Sequence, residues 1–319
     1  MGGVVLHSRA VDASAIESLL QSTVMMAVPL LLASLGEVVS ERAGILNVGL
    51  EGLMLAGAFA AMLATQASGD PWLGVFAAWG TGLALALVFA TATVGFEANQ
   101  VVVGVALNLF AAGITGVLYR ARFGITGSAL SVPALPDLPV PGLAQLPILG
   151  PALFRQSALG YAAFAAVVFL WAVLYRTLPG LKLRMVGENP RAAAAQGISP
   201  RAIQIAAILV CGWFAATAGA FLVVAYTRTF VEGMSAGRGF IALGIVIFGR
   251  WSPIGVLAAA LLFGFATALQ FQVQAHWADV PYQLMLVLPY LLTLIVLATA
   301  RRQTQAPAAL GMPLREAMH

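Results

Sequence analysis

The chain has 319 residues, 61% of them hydrophobic and only 9% charged, with a mean hydropathy of +0.95. Ordinary soluble domains carry about 25% charged residues, so the composition excludes a soluble globular domain and reads as an integral membrane protein. The net charge of +4 sits in loops, where it reports orientation and not a nucleic-acid partner.

Apolar runs near the length of a bilayer crossing fall at 18–36, 45–66, 72–94, 101–119, 157–175, 202–226, 238–249, 254–271 and 282–299. They predict nine crossings in an all-α, polytopic bundle, read as one domain over 1–319. The runs are helical in length and do not alternate as barrel strands do. The first follows Asp12 and Glu17 with no basic leader or cleavage site, so it is expected to be a retained helix and not a signal peptide.

Between the first two runs lies GEVVSERAGILNVGLEGLMLAGA, residues 36–58, with Glu37, Glu41, Arg42 and Glu51. A charge at bilayer depth costs at least about 2.5–3.5 kcal/mol unless it faces a partner, water or the bundle interior. Gly36 and Gly44 bracket the first three charges, so a helix is expected to loosen there and restart, with Asn47 and Glu51 four apart on one face of the second piece. Two readings fit: a discontinuous helix lining a substrate path, or a solvated turn between two spans. Asn99 and Gln100 precede the fourth run and Asn108 lies within it. Such residues commonly form helix-to-helix hydrogen bonds, but Asn108, with Asn47 and Glu51, is the best candidate for lining a path.

Residues 123–155 form a proline-rich segment with six prolines from 133 to 151. Proline blocks continuous helix, so this is expected to be an ordered external cap, either a lid or a docking surface. Arg176, Lys182, Arg184, Arg191 and Arg201 in the loop 176–201, against Glu188 alone, place that loop in the cytoplasm together with Arg301 and Arg302. Within it Asn189 caps a short helix beginning at Pro190, and Gly197 ends it in a left-handed conformation. This alanine-rich helix suits either the grip of a cytoplasmic partner or an interfacial position at the headgroups. The seventh run is short and bounded by Gly237, Gly239 and Gly249, as a half-helix would be. Trp251 reads as an interfacial anchor, Cys211 as a small buried hydrophobe, and the tail 303–319 as a flexible cytoplasmic segment.

Chemistry is easier to exclude. The lone lysine, Lys182, is flanked by Leu181 and Leu183, so no Gly-Lys-Ser/Thr phosphate loop exists. No Gly-x-Ser-x-Gly elbow or His-Glu-x-x-His pair occurs, and His7, His276 and His319 have no metal-ligand spacing. Neither a catalytic residue, a metal nor a cofactor is expected. A self-contained carrier using Glu37, Glu41 and Glu51 as ion sites remains a rival on this reading.

Taken together, residues 36–59, NQVVVGVALN (99–108), RMVGENPRAAAAQGIS (184–199) and GRGFIALGIVIFGRWSP (237–253) resemble the membrane permease of ABC importers in the branched-chain amino acid, ribose and nucleoside group. The likeness is closest to the nucleoside or simple-sugar subgroup. It implies the architecture of vitamin B12-type (type II) importers in the bacterial inner membrane, and it favours the path-lining reading through Glu41, Arg42, Asn47 and Glu51, the positions that match the interrupted pore helix; with Glu37, Asn99 and Asn108 these make up the expected path residues. It also implies that Gly187, Glu188, Asn189, Pro190, Arg191, Ala192, Ala195 and Gly197 form the coupling helix for a separate cytoplasmic ATPase. A second, different permease and an external substrate-binding lipoprotein or periplasmic protein are the further partners implied.

Overall fold

The computed structural model describes residues 2–124, 131–147, 149–276, 287, 291 and 306–317. Along the chain run α1 (Gly2–Arg42), α2 (Leu50–Ser68), α3 (Pro71–Ala90), α4 (Gln100–Phe123), α5 (Leu149–Phe154), α6 (Ala158–Arg176), α7 (Leu178–Glu188), α8 (Pro190–Ala195), α9 (Pro200–Phe221), α10 (Arg238–Phe248) and α11 (Pro253–His276). Wider π-type turns extend α3 through Gly95 and α9 through Thr227. Among the described residues, seven helices are long and apolar enough to cross a bilayer, and α10 is a shorter apolar helix. These account for eight of the nine predicted runs; the ninth, 282–299, lies outside the described residues, as do Arg301 and Arg302.

Helix starts follow the local chemistry. Asp70, Asn99, Ser157, Thr177, Asn189 and Ser199 each accept a backbone N–H at an N-cap, and proline stands in the first turn of α3, α7, α8 and α9. Proline there sacrifices no helical hydrogen bond, because those N–H groups have no partner inside the helix. The cap and the left-handed Gly197 expected around α8 are both present.

Two helices form the centre. The most apolar windows of α1 and α9 are each 83% buried, against 28% for α4 and 33% for α6. Lipid tails give little hydrophobic drive to helix pairing, so close packing of small side chains does much of that work. On α9, a methyl at Gly212 would come within 2.7 Å of the Gly82 carbonyl of α3. Ala216 lies equally close to Gly57 of α2, where a methyl would fall 2.6 Å from its Cα. The indole of Trp79 donates to Thr217 Oγ1 at 2.8 Å and ties α3 to α9.

At the end opposite α8, two short strands, Asp137–Pro139 and Arg155–Ser157, pair antiparallel and enclose α5. Val132 N and Leu135 N donate to Arg228 O and Val224 O at 2.9 and 2.8 Å, so the described part of the proline-rich segment is fastened over the end of α9.

Three local expectations are corrected. Gly36 does not break α1, which runs without interruption to Arg42; its missing side chain instead admits Phe214 and Cys211 of α9. Asn47 lies in the non-helical stretch before α2 and not on its face, because the chain turns at Gly44 with φ +88° and resumes helix only at Leu50. The tail, over 306–317, is held against the α8 end of the bundle and not loose, with Ala309 and Leu314 buried.

Candidate functional site

The first interruption spans residues 43–49. A helix that stops within a bundle leaves backbone groups with no ladder partner, and in lipid surroundings each must find another. Here side chains from three helices, and Asn47 of the stretch itself, supply them. Gln100 Oε1 accepts from Leu46 N at 2.8 Å and Glu37 Oε1 from Asn47 N at 2.9 Å. Asn47 Oδ1 accepts from Gly49 N at 3.0 Å. Asn108 serves both sides of the break, accepting from Gly52 N at 2.7 Å and donating to Val48 O at 2.9 Å. Gln204 Nε2 of α9 donates to Ala43 O at 3.3 Å.

The second interruption lies between α9 and α10. The chain leaves α9 at Arg228 (φ +56°), winds through 229–236, and enters α10 after Gly237 (φ +81°). Here the two interruptions meet. Glu51, in the first turn of α2, accepts from Gly237 N at 2.8 Å and Gly239 N at 2.7 Å. One carboxylate therefore stands at the amino ends of two helices, where unpaired N–H groups and the helix dipoles favour negative charge. The approach requires glycine, since a Cβ on Gly239 would lie 2.6 Å from Glu51 Cα. Glu51 and Asn108 are both half-buried, whereas Glu37, Glu41 and Asn47 are enclosed.

Glu37 and Glu41 connect α1 to three other segments. Besides holding Asn47 N, Glu37 accepts from Cys211 Sγ at 3.2 Å, and Asn47 Nδ2 reaches the same sulfur at 3.5 Å. Glu41 accepts from the indole N–H of Trp251. Arg42 Nε donates to Trp251 O at 2.9 Å, and its Nη2 reaches Tyr175 Oη at 3.3 Å. Trp251 is thus 5% exposed and clamped by two neighbours, a correction to its reading as an interfacial anchor. That clamp holds an unusual turn, because Arg250 and Trp251 both have positive φ, 57° and 53°, a conformation costly for bulky side chains.

Of the seven predicted path residues, six gather around these two interruptions. Asn99 stays apart as an exposed N-cap, its Oδ1 accepting from Val101 N and Val102 N at 3.0 and 3.1 Å. Gln100, Trp251, Cys211 and the amides of Gly237 and Gly239 belong to the cluster, although none of them was among the predicted path residues. Gln100 is adjacent to Asn99, and a polar side chain at the first residue of an apolar helix was a usable signal. A cavity of about 420 Å³ between α1, α5 and α11, lined by Leu20, Val24, Leu153, Leu261 and Phe265 among others, touches none of these groups.

At the α8 end, Pro190 and Ala193 face inward while Glu188, Arg191, Ala192, Ala195 and Gly197 are exposed. Asn189 Oδ1 accepts from Ala192 N at 2.9 Å. Gly187 presses against the backbone of Arg42 with no room for a side chain. The predicted coupling residues therefore form an exposed helix leaning on the edge of the first interruption.

Residues 19–297 match the family described as branched-chain amino acid transport system / permease component. The chain is 36% identical over 301 residues to the guanosine ABC transporter permease protein NupQ of Bacillus subtilis, covering 92% of this chain and 94% of that one. It is 36% identical over 294 residues to the nucleoside ABC transporter permease protein NupC of Lactococcus lactis, covering 89% and 92%. It is 38% identical over 310 residues to TsgC13 of Haloferax volcanii, a permease protein provisionally named for glucose ABC transport, covering 90% and 93%. The organism of each also carries a second permease protein that matches more weakly. No solved structure matches.

Proposed function

Since this chain belongs to the family of permease components of branched-chain amino acid transport systems, we propose that it forms the translocation path of an ATP-driven importer whose solute is a nucleoside. Permeases of this family are transport subunits with no ATPase of their own; a partner subunit hydrolyses the ATP. It is a multi-pass protein of the bacterial inner membrane. On this reading the bundle has type II architecture with nine crossings, pairs with a different permease, and receives solute from an external binding protein.

The observation that carries the path is the junction at Glu51, where two interrupted crossings meet around a half-buried carboxylate with Asn108 nearby. Interrupted helices that meet inside a membrane bundle are where transporters commonly bind solute. A carboxylate with lone pairs to spare accepts from sugar hydroxyls, and the asparagine amide both donates and accepts. Glu37, Glu41, Arg42 and Asn47 hold the frame of this junction. The exposed face of α8 carries the contact with the ATPase, and Gly187 passes its movement to Arg42.

Nucleosides are favoured over simple sugars by the names of NupQ and NupC, and TsgC13 keeps the sugar reading as the second. Both solutes present hydroxyls to Glu51, so competition decides between them. In vesicles holding this chain, its partner permease, ATPase and binding protein, ATP-driven uptake of labelled guanosine is expected to be displaced by other nucleosides and not by glucose or ribose. Uptake of sugar with no uptake of any nucleoside would overturn the substrate assignment.

A further inference from the structure

We infer that residues 306–317 are a strap that transmits movement of the coupling loop to the first interrupted crossing. The inference rests on the transporter reading, and adds to it a segment with no resemblance-based role.

The strap has contacts on both sides of the joint. Towards the coupling loop, Ala309 N donates to Gly187 O at 3.0 Å and Ala308 N to the Glu188 carboxylate at 3.4 Å. Towards the interruption, Gly311 N donates to Gly44 O at 3.1 Å. One residue further, Met312 O accepts from Gln100 Nε2 at 3.2 Å, and the other atom of that amide, Oε1, holds Leu46 N at 2.8 Å. Five residues of strap thus reach Gly187, Gly44 and, through one side chain, Leu46.

The segment is built to carry displacement. Leu310 N to Pro307 O and Met312 N to Ala309 O, at 3.0 and 3.2 Å, fold it into successive turns. Pro307 and Pro313 restrict its backbone, and Gly311 takes the left-handed turn between its two attachments at φ +77°. Ala309 and Leu314 anchor it, being 5% and 7% exposed. All four attachments use backbone atoms of the strap, so ordinary substitutions within it leave them intact and removal of the segment does not.

The test uses the complete importer in vesicles and reads the ATP hydrolysed per nucleoside imported. With the chain ended at Gln305, hydrolysis is expected to persist while that ratio rises at least about five-fold, the lower end of ordinary coupling between sites. An unchanged ratio in an importing complex overturns the strap. If the shortened chain does not assemble, Ala309→Glu, which forces a charge into the anchored turn, carries the same expectation and the same overturning result. Hydrogen exchange on the purified full-length and Ala309→Glu chains gives a readout independent of transport: the Leu46 amide is expected to exchange at least about ten-fold faster in the variant, and equal exchange overturns the proposal. A wild-type complex that imports nothing with ATP refutes the transporter reading instead, while the exchange result still decides the strap.

Discussion

Glu51 and Asn99 are both polar residues at the start of a crossing, yet their surroundings predict different consequences of losing them. In Glu51→Gln an amide nitrogen replaces one carboxylate oxygen, leaving Gly237 N or Gly239 N without its acceptor. The expected cost is about 1–3 kcal/mol of stability, with nucleoside uptake reduced at least about ten-fold, a loss equivalent to roughly 1.4 kcal/mol. Asn99→Ala removes only an exposed cap and is expected to cost about 1 kcal/mol while uptake stays at the wild-type level. Thermal unfolding and vesicle uptake of the two variants check this contrast. The scarcity of charge made Glu37, Glu41, Arg42 and Glu51 legible in the sequence. Their partners were not, because a helix interruption is satisfied by whichever side chain the tertiary fold brings near. Gln100 lies 54 positions from Leu46, and Trp251 lies 210 from Glu41.

At the scale of elements, the α3–α9 contact depends on a residue that composition alone could not rank. Gly212→Ala would drive a methyl against the Gly82 carbonyl, whereas a methyl at Gly113 on α4 would meet nothing within 4 Å. Gly212→Ala is therefore expected to destabilise by about 1–3 kcal/mol through overpacking. Gly113→Ala is expected to be neutral or stabilising by up to about 1 kcal/mol from helix propensity. Thermal unfolding in detergent measures both. Elements bounded by strong local signals were readable in advance: the Asn189–Pro190 start of α8, the Ser199–Pro200 start of α9, and the short α10 among its glycines. The extent of α1 was not, because Gly36 resembles a breaker in sequence while serving as a close-approach site in the bundle. Propensity at a single glycine is a weak prior against packing of that kind.

At the scale of the whole molecule, the bundle holds the two helix interruptions in its interior and the predicted coupling helix at one end. Glu188→Ala combined with Arg191→Ala alters that exposed end and removes the carboxylate that accepts from Ala308 N. The pair is expected to lower ATP-driven uptake several-fold, by the ordinary magnitude of coupling between sites, while the purified chain keeps its thermal midpoint. Full uptake by the double variant would remove the loop from the transmission route. The run of apolar segments made the bundle legible, and eight of the nine expected crossings have described helices. Which helices lie at the centre was not legible, since α1, α4 and α9 are similarly apolar and differ only in what surrounds them.

The joint between α2 and α10 has one more consequence. Glu51, when ionised, owns lone pairs and no hydrogen to give, and it stands where both helix ends turn their own hydrogens towards it. On the proposed path, a solute at this point is thus sorted less by girth than by the direction in which it can lend a proton. The same proposal has polyols finding a willing acceptor, while solutes that bring only acceptors, or a negative charge of their own, find no hydrogen offered to them.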